Sequence, residues 1–321
     1  MKIVSYLLIA LLGFSCTQIS DKKVLTLAHG LPISHPVHKG IVVFQKELEK
    51  LSEGKLKINI YADGQLGDER EVLELLQIGS VAMTKVSAAT IANFVPEYSV
   101  LGIPYVFRDK EHCFNVLEGD VGNELLEKGA ERWLKGLCFY DAGSRSFYTS
   151  KKQIKTAKDV DGLKIRVMND PTAIKMVSAL GGSPTPMSYG ELYTALQQGV
   201  VDGAENNAPS FVTSRHFEIC KYYTLDGHTF VPDILMISTK FLEKLSEQEK
   251  EWVYKAAKIS AQAQKKFWED SVIESLEILK NAGVEIYSPN KEDFAKKTAT
   301  VLSSFSSPVM KDYIQRIQNT K

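Results

Sequence analysis

The chain has 321 residues, with 39 basic and 39 acidic side chains that cancel. Without a basic excess there is nothing to displace counterions from phosphates, which excludes a nucleic-acid binder. A hydrophobic content of 44% is that of an ordinary soluble globular protein, and the length admits one domain or two, with two favoured.

Met1-Lys2 precedes an apolar run, Ile3 to Phe14, then Ser15-Cys16. That run is too short for a membrane span, which takes ~20 residues. A positive start, a short apolar stretch and a small residue before the break describe an export signal. Cys16 directly after it suggests a lipoprotein with the lipid on that sulfur. Gly13 stands where a lipobox carries Leu, so a plain cleaved leader is the alternative. Cys113, Cys138 and Cys220 are scattered without a C-x-x-C, so a zinc site is not expected and buried free thiols are.

VLTLAHG alternates as a first strand, and LPISHPVHKG is a turn with two histidines. Ile41, Phe44, Leu48 and Leu51 mark a helix ending at Gly54. KLKINIYA is a second strand, and DGQLGDEREVLELLQIG a glycine loop leading into an amphipathic helix. VAMTKVSAATI reads as strand then loop, and FVPEYSVLGIPYVF as a packed loop with a short strand. A helical stretch broken near Gly119 leads to the strand LKGLCFYDAG, and SRSFYTSKK is an extended crossing segment.

From 166 to 207 the pattern is strand, helix, loop, helix, short strand. Asp170-Pro171 caps and starts the first helix, and Gly181-Gly182 stop it. Ser188-x-x-Glu191 is a capping box for the second helix, which Gly199 closes, and VVDGA follows as a strand with Glu205-Asn206-Asn207 at its end. A helix and two further strands come next. Ser246-x-x-Glu249 then opens a run free of Pro and Gly to about Asn281. Trp252, Ala256, Ile259, Ala263, Phe267, Leu276 and Leu279 give it one face, and at ~1.5 Å per residue it is roughly 50 Å long. The heptad is poor for a coiled coil, so a brace across two lobes fits better. GVEIYSP returns as a strand and the tail is helical. The βαβα rhythm predicts an α/β fold with largely parallel sheets.

There is no P-loop, no G-x-G-x-x-G and no G-x-S-x-G, so no cofactor or nucleophile elbow is expected. Arg166, on the strand LKIRV, carries a planar fork suited to a carboxylate. Arg145, in GSRSFYT, is a second fork. Two arginines without paired acids suggest an anion held rather than hydrolysed. Asn206 lies at a strand end, where open α/β sheets bind ligands. Glu69 is a ligand contact or a solvated first-turn residue, Lys85 and Ser87 are contacts or an exposed loop, and Glu69 and Lys85 pairing with each other is the further alternative. His35 is a helix cap or a contact; His35 and His38 lack a third metal ligand.

TPMSYGELYTALQQGVVDGAENN, GLKIRV and GQLGDEREVLELLQIG, in that order and spacing, resemble the substrate-binding proteins of TRAP transporters, the DctP-type family. The resemblance runs from about Val24 to the end of the long helix. It implies a two-lobed periplasmic binding-protein fold with hinge strands and a long helix spanning both lobes. On that basis residues 1–22 are signal peptide and lipid-anchor linker, 23–143 and 232–271 lobe I, and 144–231 and 272–321 lobe II. It puts the carboxylate-pairing arginine at Arg166, the amide completing the clamp at Asn206, a ligand-packing aromatic at Tyr189, and the second arginine of the sugar-acid binders at Arg145. DAGSRSFYT, TKVSA and AENN resemble the hexuronate-binding subgroup.

The implied function is a monomeric, non-catalytic periplasmic receptor delivering a glucuronate- or galacturonate-type sugar acid to the transporter's membrane subunits. Alternatives are sialic acid or a C4-dicarboxylate in the same role, a sensory receptor feeding a kinase, or a sugar-acid enzyme. An enzyme would need an acid and a base, for which Glu69, Lys85 and His35 are the candidates.

Overall fold

The structure, a computed structural model, describes residues 22–321. The expected leader, Cys16 included, lies outside the described residues except for Lys22. Strands β1 (Lys23–Ala28), β2 (Leu56–Tyr61), β3 (Met83–Ser87) and β4 (Leu134–Tyr140) come first. They are followed by β5 (Arg145–Thr149), β6 (Lys164–Val167), β7 (Ser183–Pro186), β8 (Gly203–Asn206) and β9 (Tyr222–Thr229). Last come β10 (Asp233–Ser238) and β11 (Glu285–Tyr287).

They build two sheets, ordered β2-β1-β3-β10-β4 and β11-β9-β5-β8-β6-β7. The chain crosses from the first sheet to the second between β4 and β5, and back between β9 and β10. Both sheets are mixed, a correction to the largely parallel arrangement expected. β10 runs antiparallel to β3 and β4, and β5 antiparallel to β8 and β9. Each crossing strand enters the middle of the other lobe's sheet and therefore starts at the cleft between them. The ends of β3, β6 and β8 meet those starts, so side chains from five strand ends converge there.

Local signals explain most boundaries. Asp68 and Glu71 form a reciprocal capping box for the helix Glu69–Ile78, which Gly79 closes in the left-handed region at φ 80°. Asp170 caps Pro171–Ala179 through the amides of Thr172 and Ala173. Ser188 behaves otherwise. Its hydroxyl donates to Glu191 (2.6 Å) instead of accepting an amide, and the helix begins only at Leu192. The turn between leaves Tyr189 off the helix and beside the cleft. The loop expected at SPTP is instead the edge strand β7, where proline is tolerated. The strand expected in FVPEYSVLGIPYVF is a 3₁₀ helix over Pro96–Gly102, and Ala88–Ile91 is a helical turn rather than a loop.

The long helix spans Glu247–Asn281 and opens on the Ser246/Glu249 capping box. On its buried face Ala256 and Leu279 lie as expected, but elsewhere the buried residue is a neighbour of the expected one: Val253, Ser260, Gln264 and Trp268 in place of Trp252, Ile259, Ala263 and Phe267, and Ser275 in place of Leu276. Apolar spacing misplaced it because Ser260 and Gln264 are polar and satisfied. The hydroxyls of Ser260 and Tyr140 lie 2.8 Å apart, and Gln264 grips the backbone of Asp141, accepting from its N–H (2.8 Å) and donating to its carbonyl (2.7 Å). The first crossing is thus fastened to the brace. Trp268 packs with the first lobe's core, and Leu276 and Leu279 with the second's. The final helix, Pro308–Asn319, buries Tyr313, Ile314 and Ile317 in a first-lobe cluster. That helix thus packs beside the sheet β2-β1-β3-β10-β4. Among the described residues no helix is long and apolar enough to cross a membrane.

Candidate functional site

A cavity of about 210 Å³ lies between the sheets and is lined from both. Arg166, near the end of β6, is 1% exposed. Its Nε and Nη2 both donate to the Met187 carbonyl (3.1 and 2.8 Å). Nη1 is buried with no partner among the described residues. Burial lowers the affinity of this guanidinium for its proton, and the nearby Arg145 charge adds to that. A buried cation with an unused donor is expensive unless an anion meets it. The Tyr189 ring lies 5.8 Å from its central carbon, with the phenol held by Ser214 Oγ (2.6 Å).

Arg145, at the head of β5, does not present a free fork, contrary to expectation. It donates through Nε and Nη2 to the Glu205 carboxylate (2.5 and 2.9 Å), and Nη1 donates to Asn206 Oδ1 (2.9 Å). Burial alone would raise the Glu205 carboxyl, but the Arg145 charge and hydrogen bonds from His228 and Arg145 hold it at about 2. Burial would likewise lower His228, yet Asp226 (2.7 Å) and Glu205 (3.3 Å) lift it to about 9. Asn206 Oδ1 also accepts from the backbone and side-chain nitrogens of Asn207 (2.9 and 3.0 Å). Three donors on that oxygen fix the amide, so the Nδ2 hydrogens are what Asn206 offers the cavity.

On the opposite wall, Lys85 donates to Glu69 (2.8 Å) and Asp233 (3.3 Å). Glu69 further accepts from Thr90 Oγ1 (2.7 Å) and the Ser87 N–H (3.2 Å). Burial works against the charged Glu69, but Lys85 and these hydrogen bonds overcome it and hold the carboxyl below its usual range. Lys85 is likewise held charged against burial by Asp233 and Glu69. Of the two readings open for Glu69 and Lys85, ligand contacts or partners of each other, the structure shows the pairing, while both still line the cavity beside Ser87. Ser87 Oγ caps the following turn through the Ala89 N–H.

His35 caps the helix Pro36–Leu51, its Nδ1 accepting from the Val37 N–H. Nε2 then carries the proton and donates to Ser210 Oγ (3.1 Å), a hydrogen bond between the two lobes. Trp268 lies 5.8 Å from that imidazole and closes the floor. Opposite the indole, Gly143 adopts φ 58°, and a Cβ there would stand 2.8 Å from Trp268 Nε1.

Residues 27–307 match the bacterial extracellular solute-binding protein family 7, DctP. The chain belongs to the DctP family of TRAP-transporter solute-binding proteins. Three solved members are similar throughout. One from Bradyrhizobium sp. BTAi1, in complex with galacturonate, is 38% identical with a TM-score of 0.91, covering 93% of this chain and 100% of that one. One from Pseudomonas putida F1 with D-glucuronate is 36% identical at 0.90, covering 93% and 98%. One from Polaromonas sp. JS666 with D-erythronate is 33% identical at 0.91, covering 94% and 99%.

Members of the DctP family are receptors, so the enzyme alternative is set aside. The expected residues Arg166, Asn206, Arg145, Tyr189, Glu69, Lys85, Ser87 and His35 all line the one cavity. Asp233, Trp268 and Ser210 line it too and were missed. Asp233 had a signal, being a lone acid at the head of the otherwise apolar strand DILMIS. Trp268 sat on a helix whose buried face was misassigned. Ser210 had none, because its role comes from His35 in the other lobe. Cys113, Cys138 and Cys220 are free and buried, as expected.

Proposed function

We propose that this chain is the extracytoplasmic receptor of a TRAP transporter, taking a hexuronate-type sugar acid into the interlobe cleft and delivering it to the membrane subunits. The observation that carries this reading is Arg166 in the cavity wall, whose buried Nη1 has no partner among the described residues. Arg166 and the Asn206 amide clamp one carboxylate, Arg145 orients that amide, and Tyr189 lies along the ring. Lys85 and Ser87 meet ring hydroxyls with their remaining donors, Glu69 holds Lys85 in place, and His35 holds the floor. Two acids share one ammonium on the wall facing Arg166, which disfavours a second carboxylate there. The galacturonate- and glucuronate-bound relatives support the same ligand class.

In this reading lobe I comprises 23–143, 232–271 and the last helix, and lobe II 144–231 and 272–303. The protein works as a periplasmic monomer, tethered through lipid on Cys16. Calorimetric titration with glucuronate, galacturonate, erythronate, succinate and malate tests the ligand class. A uronate is expected to bind tightest, and small-angle scattering should show a smaller radius of gyration when it does. Succinate binding as tightly as the best uronate would overturn the sugar-acid assignment.

A further inference from the structure

Asp233 is the first residue of β10, the strand that returns to the first lobe, and it pairs in register with Ser87 of β3. It is 7% exposed and lines the cavity. Lys85 reaches its Oδ1 at 3.3 Å, and among the described residues its Oδ2 accepts no hydrogen bond. Glu69 differs: Lys85, Thr90 and the Ser87 amide all donate to it. Of the two acids sharing the Lys85 ammonium, Asp233 is therefore the one left with acceptor capacity. Burial and the Glu69 charge penalise its ionised form, as expected of a carboxylate short of donors.

We propose that Asp233 is a ligand-binding residue whose Oδ2 accepts a hydrogen bond from a hydroxyl of the solute, selecting polyhydroxylated monocarboxylates over dicarboxylates. This role rests on the sugar-acid reading above and adds the residue that discriminates. Arg166 and Asn206, on the second lobe, present donors to one carboxylate. At the other wall a hydroxyl supplies the donor that Asp233 lacks. A second carboxylate supplies none at neutral pH and meets two acids compensated by one ammonium. An alkyl chain would leave Oδ2 desolvated without a partner.

The test is calorimetry on the wild type and Asp233→Asn with D-galacturonate, D-glucuronate and adipate, a dicarboxylate of equal carbon number without hydroxyls. In Asp233→Asn the better uronate should bind roughly tenfold or more weaker. Adipate should bind no worse than before, so the preference for uronate shrinks by at least that factor. Asp233→Ala, which removes both carboxylate oxygens, serves if the first variant fails to fold. Proportional change in both ligands, or a lowered melting temperature with unchanged preference, would show a merely structural partner of Lys85 and overturn the proposal alone. A wild type that binds no sugar acid would overturn the functional reading and this proposal with it.

Discussion

Arg166→Lys separates an anchoring role from a folding role, because the two predict opposite outcomes. The guanidinium spends Nε and Nη2 on the Met187 carbonyl, and its Nη1 has no partner among the described residues. A lysine at this position has one nitrogen for both tasks. It keeps the charge but loses the fork. Truncating one partner of a buried charged pair costs ~2–5 kcal/mol. At ~1.4 kcal/mol per decade of affinity, that is roughly 30-fold to several thousand-fold, and retained charge places Arg166→Lys towards the lower end. The unliganded protein should respond differently. It already tolerates a buried donor without a partner, a cost of ~1–3 kcal/mol that the smaller ammonium relieves in part. Its melting temperature should stay level or rise by a few degrees. Calorimetry with a uronate, run beside thermal unfolding without ligand, reads both. Affinity within about threefold of wild type would remove Arg166 from the clamp. Affinity lost together with a markedly lower unliganded melting temperature would make the residue structural instead.

Two further outcomes follow from packing and charge. In Gly40→Ala the new Cβ would lie 2.6 Å from the Cβ of Gln264, so the two helices must part, at ~1–3 kcal/mol. The variant should melt several degrees lower, and an unchanged melting temperature would refute that close approach. Burial, with help from neighbouring cations, holds His29 and His216 at about 3 and His35 well below its usual value. Above ~6.5 these groups are neutral in both states. As pH falls below that, the unfolded chain takes up protons that the folded one refuses, removing up to ~1.4 kcal/mol per pH unit for each histidine. His228, at about 9, works the other way, its contribution complete below ~6.5 and lost as pH rises through 9. Urea unfolding at about pH 5 and about pH 7.5 should show lower stability in acid, with a shallower dependence in His216→Asn. Equal stability at both values in the wild type would refute the buried neutral histidines.

Features that are local in sequence were legible before the structure. The Ser246/Glu249 box and the absence of Pro and Gly located the long helix, and Asp170-Pro171 located the start of another. Arg166 stood out as a fork at a strand end. What failed depended on contacts distant in the chain. The helix's buried face could not be read from apolar spacing, because Gln264 is buried to bind the backbone of Asp141. Arg145 looked free because its partner Glu205 belongs to a strand whose pairing with β5 the sequence does not state. Pairing of Lys85 with Glu69 stayed one of two readings, since a helix and a loop intervene before β3 brings them together. The antiparallel sense of β5 and β10 was likewise hidden, because alternation marks a strand without its direction.

The placement of β10 bears on how the molecule is made. During synthesis β3 and β4 both leave the ribosome long before residue 233, the start of the strand that belongs between them. Until then the first lobe has a gap between β3 and β4 where an inner strand will sit, with two unpaired edges. The second lobe has no such wait. β5, β6, β7, β8 and β9 emerge consecutively, and only the short edge strand β11 comes later. The lobe encoded first thus waits for a strand encoded after β5 to β9, and the helix Pro308–Asn319 packs onto it later still. Pairing partners so far apart in the chain are joined slowly, so the nascent first lobe is the part of this protein most in need of a chaperone.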